Sequence, residues 1–287
     1  MSIILGAATQ QNLLSLQNIN QDMNTTQGHL ATGLKVSSAV DDAVLFFQAQ
    51  SLTNRANDLD TRKSNMDQGV SSLTAATQGI QAAISILQQM QGVLQSAKTE
   101  TTAQRKASQT QINTLAAQLN QLLGDTSYQG LNLVNSTKSK LTLQFSNSTK
   151  SVLNIAGFNM LISKLDTTTK VAASVYASAA VGGFKFTAAA SLGVSIFDKA
   201  YNALNGAIAL AQADAQSLGA NVSLLQTRIT FTASYETTLS GGASKLTVAD
   251  VNQESTNLVT LQTRQQLAIQ SLSIATQSEQ AVLRLFH

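Results

Sequence analysis

Residues 45–94 read LFFQAQSLTNRANDLDTRKSNMDQGVSSLTAATQGIQAAISILQQMQGVL, and the apolar spacing of this stretch decides the fold. Leu45, Leu52, Leu59, Met66, Leu73, Ile80, Leu87 and Leu94 follow one another at seven-residue intervals without a break. That is the period of helices that supercoil left-handedly around partners, because it keeps a single seam facing inward. At about 1.5 Å per residue the run makes a rod of roughly 75 Å. A compact domain of this chain length is only about 40 Å across. The spacing therefore predicts an elongated, helical protein.

A second ladder matches the first. Phe197, Leu204, Ala211, Leu218, Leu225, Thr232, Leu239 and Leu246 keep the same interval, with Tyr201, Ile208, Ala215, Val222 and Ile229 beside them. Ile112, Leu115, Leu119 and Leu122 form a shorter third stripe. The fold class read from these stripes is mainly α: an elongated antiparallel bundle of long coiled-coil-like helices over about 43–98, 104–124 and 194–240. Apolar stripes of this kind specify a core and its shape. Function has to be sought in the rest of the chain.

The middle departs from the helical rhythm. Leu141, Leu143 and Phe145 alternate with Thr142 and Gln144, as a half-buried strand does. Leu153 and Ile155 repeat the alternation after the polar stretch Ser146–Lys150, which reads as a hairpin loop. Val171, Val175, Phe184 and Phe186, with Gly182 and Gly183 between them, extend the expected β-rich segment over 131–192.

Composition narrows the function classes. The chain has 287 residues, no proline and no cysteine, although average usage of about 5% would give roughly fourteen prolines. Losing every proline removes the main helix breaker and the slow cis/trans step of folding. Without cysteine there is no disulfide framework, thiolate metal site or thiol nucleophile. The net charge of +3 is spread along the chain, with no basic patch interleaved with aromatics, so nucleic-acid binding is not expected. No apolar stretch reaches the roughly 18 residues of a membrane span, so membrane insertion is not expected. The first basic residue is Lys35, and the apolar start lacks the positive segment of a cleaved secretory signal.

Catalytic chemistry is not expected either. His29 and His287 are the two imidazoles; the first sits on a striped helix as a packing or polar-face residue, the second is the last residue. Asp41 and Asp42 follow Ser37 and Ser38 and precede an apolar-periodic run. They read as first-turn acids favouring a helix dipole rather than as a general acid–base pair. Gly182-Gly183 is too little for a phosphate loop. We expect no enzyme, no cofactor and no metal.

The two ends carry the remaining signal. Leu16, Ile19, Met23 and Leu30 form an amphipathic stripe in a segment whose one charged residue before Lys35 is Asp22. At the other end Val251, Leu258, Leu272 and Phe286 share a heptad position with the polar Gln265 and Glu279, and Leu261, Ala268, Ala275 and Val282 hold the next. A lone striped helix is marginal in water, because nucleation is costly and packing supplies most helical stability. Two readings stand: the ends pair as an ordinary helical hairpin, or they order when many copies pack together. The candidate subunit interface is Leu16, Ile19, Met23, Leu30, Leu258, Leu261, Leu272 and Val282.

Three motifs resemble one family. Leu30-Ala-Thr-Gly-Leu-Lys-Val-Ser-Ser-Ala-Val-Asp-Asp-Ala43 is similar to the N-terminal signature of bacterial flagellins. Tyr128-Gln-Gly-Leu-Asn-Leu133 resembles their helix-to-hairpin junction. Ser244-Lys-Leu-Thr-Val-Ala-Asp-Val-Asn252, with the Gln-rich helix ending Val282-Leu-Arg-Leu-Phe286, resembles their C-terminal module. The likeness covers about 1–135 and 194–287, in the family's order. Val44-Leu-Phe-Phe47 departs from it, standing where small residues usually follow the Asp-Asp pair.

The resemblance implies a structural subunit that polymerises through its terminal helices into the extracellular filament used for swimming. It implies an inner domain (1–40 with 247–287) and a rod domain (41–246), in a short member without outer domains. It also implies partners: copies of itself in a helical homopolymer, the type III export apparatus, an export chaperone, the filament cap and the hook-junction proteins. Many members present a charged rod patch to a Toll-like receptor; here the matching positions are Gln89 and Ala117 or Gln118, which implies weak or no activation. The rival readings are a hook–filament junction protein and, from another class, a secreted coiled-coil adhesin or translocator.

Overall fold

A computed structural model describes residues 7–148, 150–160 and 194–285. The elements in chain order are α1 (Ala7–Thr32), α2 (Ala43–Ala97), α3 (Thr102–Asp125), β1 (Lys140–Gln144), β2 (Val152–Ala156), α4 (Val194–Thr247) and α5 (Val251–Leu285). The chain divides into two compact units, one of Asn57–Glu236 and one of the residues up to Ala56 with those from Thr237 onward. The expected 131–192 segment is one hairpin among the described residues; Val171, Val175, Phe184, Phe186 and Gly182-Gly183 lie outside them.

Within Asn57–Glu236 the heptad ladders form one core. Met66, Leu73, Ile80 and Leu94 of α2 are wholly inaccessible, as are Phe197, Leu204, Ala211, Leu218 and Leu225 of α4. Polar pairs fix the two helices antiparallel. The Lys98 ammonium meets Asp198 at 2.6 Å, the Gln91 amide donates to Asn205 at 2.7 Å, and Lys63 bridges Asp60 and Glu236. The Asp60 carboxylate, with Glu236 beside it, holds the Lys63 ammonium above its ordinary range. In α3 the buried apolar residues are Ile112, Ala116, Leu119 and Leu123, with Leu115 and Leu122 half-buried beside them. The inward face is thus rotated slightly from the stripe the leucines alone pick out.

The turn between α2 and α3 is tied from both sides. The Arg105 guanidinium donates to the carbonyls of Ala97 and Lys98 at 3.0 Å each, neutralising the open end of α2. Thr101 donates its N–H and hydroxyl to the Gln104 side chain, which starts α3.

The hairpin pairs antiparallel, with Leu141 opposite Ile155 and Leu143 opposite Leu153. Leu143 and Ile155 are buried in the helical core, while Thr142 and Asn154 face out. Gly69 makes this approach possible: a Cβ there would lie 2.5 Å from a Leu143 methyl. The Arg228 guanidinium covers the Phe145 ring at 4.9 Å, and Arg62 reaches both Asp58 and the loop residue Asn147.

The other unit differs from expectation at its borders. Its limits fall at Ala56 and Thr237 rather than at 40 and 247, because the first turns of α2 and the last turns of α4 pack with the loops that join α1 and α5 to them. Correspondingly α4 runs to Thr247, past the expected end near 240. Gly241 and Gly242 lower its local helix propensity by about 1 kcal/mol each relative to alanine. Packing offsets this, Gly242 lying against Leu52.

Candidate assembly site

The sequence of α1 gives a helix with one weak apolar stripe and almost no charge, and α5 gives the same over a longer span. The structure supplies each with a partner in the same chain, namely the other. They run antiparallel, because the polar interruptions in the two stripes meet in reverse order. His29 Nδ1 lies 3.1 Å from the Glu254 carboxylate, the Gln265 amide donates to Asn20 at 2.7 Å, and Asn12 donates to Ser271 at 3.4 Å. Gln265, one of the two polar residues at its heptad position, thus meets a polar partner across the seam. His29 is a polar-face residue on the same seam.

Of the predicted interface, Leu16, Ile19, Met23, Leu30, Leu258, Leu261 and Leu272 are half-buried along this pair. The Val282 side chain lies outside the described residues. Half-burial is what two helices alone achieve: each apolar stripe is covered from one side and left open at its flanks. Beyond the stripe, Leu14 of α1 and Val259, Leu267, Ile269 and Ile274 of α5 are more than half exposed. Helices that are apolar on two sides yet polar enough to avoid a membrane are suited to packing among further helices.

A backbone clasp closes the near end of the pair. Gly33 ends α1 with φ +71°, a conformation that favours glycine, and its N–H donates to the His29 carbonyl. Leu34 then bridges Val248 antiparallel, Lys35 and Val36 donate to the Thr247 carbonyl, and Ala249 donates to the Gly33 carbonyl. Asp250 caps α5 through the N–H groups of Asn252 and Gln253. These contacts explain the spacing of the Gly-Leu-Lys-Val and Thr-Val-Ala-Asp motifs: each is half of one joint. The sequence alone does not show them, because their pairing joins segments more than two hundred residues apart.

Asp41 and Asp42 lie just ahead of α2 rather than in its first turn, since α2 begins at Ala43. Asp42 is the cap, accepting from the Leu45 N–H at 2.9 Å. One Asp41 oxygen accepts from the N–H and hydroxyl groups of both Ser37 and Ser38. The backbone N–H of Ser37, then that of Ser38, holds the Asp41 carboxyl below its ordinary value of 3.8. A depressed folded pKa means the contribution is whole above the ordinary value and disappears as pH falls through the folded one. On acidification the Ser37 and Ser38 amide resonances should move together with a midpoint below 3.8. A midpoint at or above that value would remove Asp41 as the organiser of this loop.

Chemically the arrangement offers cohesion. Among the described residues no three His, Cys, Asp or Glu side chains come together in a way that holds a metal ion. No helix there is long and apolar enough to cross a membrane. Asp214, raised by burial, sits singly on a helix.

Two family models match in the order of the folded halves. The bacterial flagellin N-terminal helical region covers residues 5–139 and the bacterial flagellin C-terminal helical region covers 201–286. The chain belongs to the bacterial flagellin family. A flagellin of Brucella melitensis biotype 1 is 29% identical over 285 residues, 99% of each chain. Flagellin FljO of Caulobacter vibrioides is 27% identical over 279 residues, 96% of this chain and 95% of that one. The crystal structure of Bacillus cereus flagellin matches with a TM-score of 0.44 at 13% identity, covering 58% of this chain and 88% of that one. Flagellins of the same length thus align from end to end with this chain. The family boundary residues include α1 with its clasp and α5 with its cap, the elements described above.

Proposed function

We propose that this flagellin assembles through α1 and α5 into the extracellular flagellar filament. In this reading the α1–α5 pair is the inner, filament-core domain, and the α2–α3–α4 bundle with its hairpin is the rod. The observation that carries it is the two-sided apolar character of α5. One stripe, Leu258, Leu261 and Leu272, faces α1; a second set, Val259, Leu267 and Ile274, faces away and is open. A chain acting as a monomer has no use for the second set. A helical homopolymer covers it. The export apparatus, an export chaperone, the filament cap and the hook-junction proteins are the further partners of such a subunit, and no enzymatic step belongs to it. Purified chain induced to polymerise with salt should give filaments many subunits long in negative stain. Short stubs would favour a junction protein, and no polymer at all would sink the reading.

The same reading makes the monomer a weak agonist of the Toll-like receptor that senses many flagellins. The positions that the resemblance matches to the charged rod patch are Gln89 and either Ala117 or Gln118, each exposed and uncharged. Losing one partner of a buried charged contact across an interface costs about 2–5 kcal/mol, roughly thirty-fold or more in affinity. A reporter-cell assay with purified monomer should need correspondingly more protein than a strong agonist does. Activation at the concentrations of a strong agonist would show the patch rebuilt from other residues.

A further inference from the structure

Between the clasp and the first turns of α2 lies a cleft of about 370 Å³, in which Leu34, Val36, Phe46, Ala49 and Ala243 alternate with uncharged serine, threonine and glutamine side chains. None of its lining residues is charged. Beside it, on the same short stretch of chain, stand Val40, Val44 and Phe47 at 94%, 66% and 61% exposure. Phe46 and Phe47 are set edge to face, ring centroids 5.5 Å apart. Phe46 forms a wall of the cleft, and Phe47, one residue on along the same helix, points elsewhere. Successive helical residues diverge by about 100°, so Phe47 cannot fill its own cleft without unwinding α2, which Asp42 caps at this point.

We infer that Val44 and Phe47 are a knob that seats in this cleft on a neighbouring copy of the chain. The inference rests on the filament reading above and names a contact within it. Two observations favour a second copy over another partner. The knob and the cleft lie in the same compact unit as α1 and α5, continuous in sequence with both, so an assembly built on those helices brings this stretch of neighbouring copies together. No charged side chain lines the cleft, and the knob residues Val44 and Phe47 carry none, so an uncharged face meets an uncharged face. In a helical homopolymer the knob of one copy can enter only the cleft of the next, because each stands beside its own cleft and not in it. A knob that meets a pocket elsewhere on the next copy is a head-to-tail contact, the kind that propagates a filament instead of closing a dimer.

The test uses the absence of native cysteine. Chains carrying Val44→Cys and chains carrying Ser240→Cys, the latter on the cleft wall, are mixed, assembled and treated with a short bis-maleimide. Both substitutions leave Phe47 in place. The expected result is a covalent dimer in the mixed filaments that neither variant gives alone. Mixed filaments without that dimer would overturn the inference and leave the filament reading standing, whereas failure of the unmodified chain to polymerise would bear on the filament reading itself. A dimer from Val44→Cys alone would mean the face pairs with itself, which also overturns the head-to-tail contact. In parallel, Phe47→Ala should raise the critical concentration for assembly about thirty-fold, as truncation of a central aromatic anchor does, with unchanged monomer circular dichroism. Phe47→Leu should recover most of the loss. Phe47→Ala assembling at the parental concentration would remove the knob.

Discussion

Replacing Leu258 or Leu272 by aspartate should abolish filament formation and leave the helical bundle folded. Both leucines are half-buried in the α1–α5 pair, so in the single chain the new carboxylate can still reach water at the flank of the seam. In a polymer that flank is covered. An unpaired charge in a packed apolar interior costs several kcal/mol even after relaxation, and every subunit added to the filament bears that cost again. The bundle is insulated from the change, because its core is built from residues between Met66 and Leu225 and includes nothing from α1 or α5. Circular dichroism of the variant monomer should therefore keep the parental unfolding transition of the bundle while sedimentation finds no polymer. Normal filaments from either variant would place the subunit core in other residues.

The rod was legible in the sequence and the joints were not. A seven-residue apolar period is a property of consecutive residues, and burial of Met66, Leu73, Ile80 and Leu94 against Phe197, Leu204 and Leu218 needs only that the two stripes find each other. Even the polar residues beside the ladder have local or facing partners: Thr77 donates back to the Leu73 carbonyl, and Gln91 pairs across to Asn205. The hairpin showed itself by alternation for the same reason. By contrast, the end of α4 was hidden by Gly241-Gly242. Propensity argues for a stop there, and only contact with a distant helix reverses it.

The site divides in the same way. Leu16, Ile19, Met23, Leu258, Leu261 and Leu272 announce a stripe, but nothing within either segment shows that Asn20 faces Gln265 or that His29 faces Glu254. That register is set by the clasp of Gly33–Val36 on Thr247–Ala249, a long-range pairing of backbone groups with no side-chain signature. Asp41 and Asp42 read as first-turn acids in the sequence, and the structure sets them two residues and one residue ahead of Ala43. Capping and first-turn positions favour the same residue types, and only geometry separates them. Phe47 was visible as a departure from a family pattern, yet its exposure follows from which side of α2 the cleft takes up.

Substituting Asn132 by leucine should destabilise the rod by about 3–5 kcal/mol, the sum expected when several buried polar groups lose their partner at once. Asn132 is the buried polar residue of the Tyr-Gln-Gly-Leu-Asn-Leu motif, at 8% exposure. Its amide donates to the Leu123 and Gly124 carbonyls at 2.7 and 3.1 Å, and its oxygen accepts from the Val134 and Asn135 N–H groups at 2.9 and 3.1 Å. The first two bonds satisfy carbonyls that the end of α3 leaves open. The second two fold the chain back so that Leu133 and Val134, at 2% and 0% exposure, enter the helical core. Leucine fills the same space and makes none of the four bonds. Asparagine to aspartate separates the two halves of the role, since a carboxylate still accepts from Val134 but repels the α3 carbonyls at the negative end of the helix dipole. It should be no better tolerated than leucine. At about 2–4 °C per kcal/mol for a domain of this size, calorimetry should show the transition falling by roughly 10 °C in both variants. An exposed neighbour such as Lys138→Ala should stay within about 0.5 kcal/mol of the parent. If the leucine variant melted with the parent, the motif would owe its form to the buried Leu133 and Val134 alone, and the four bonds would be a consequence of the junction rather than its cause.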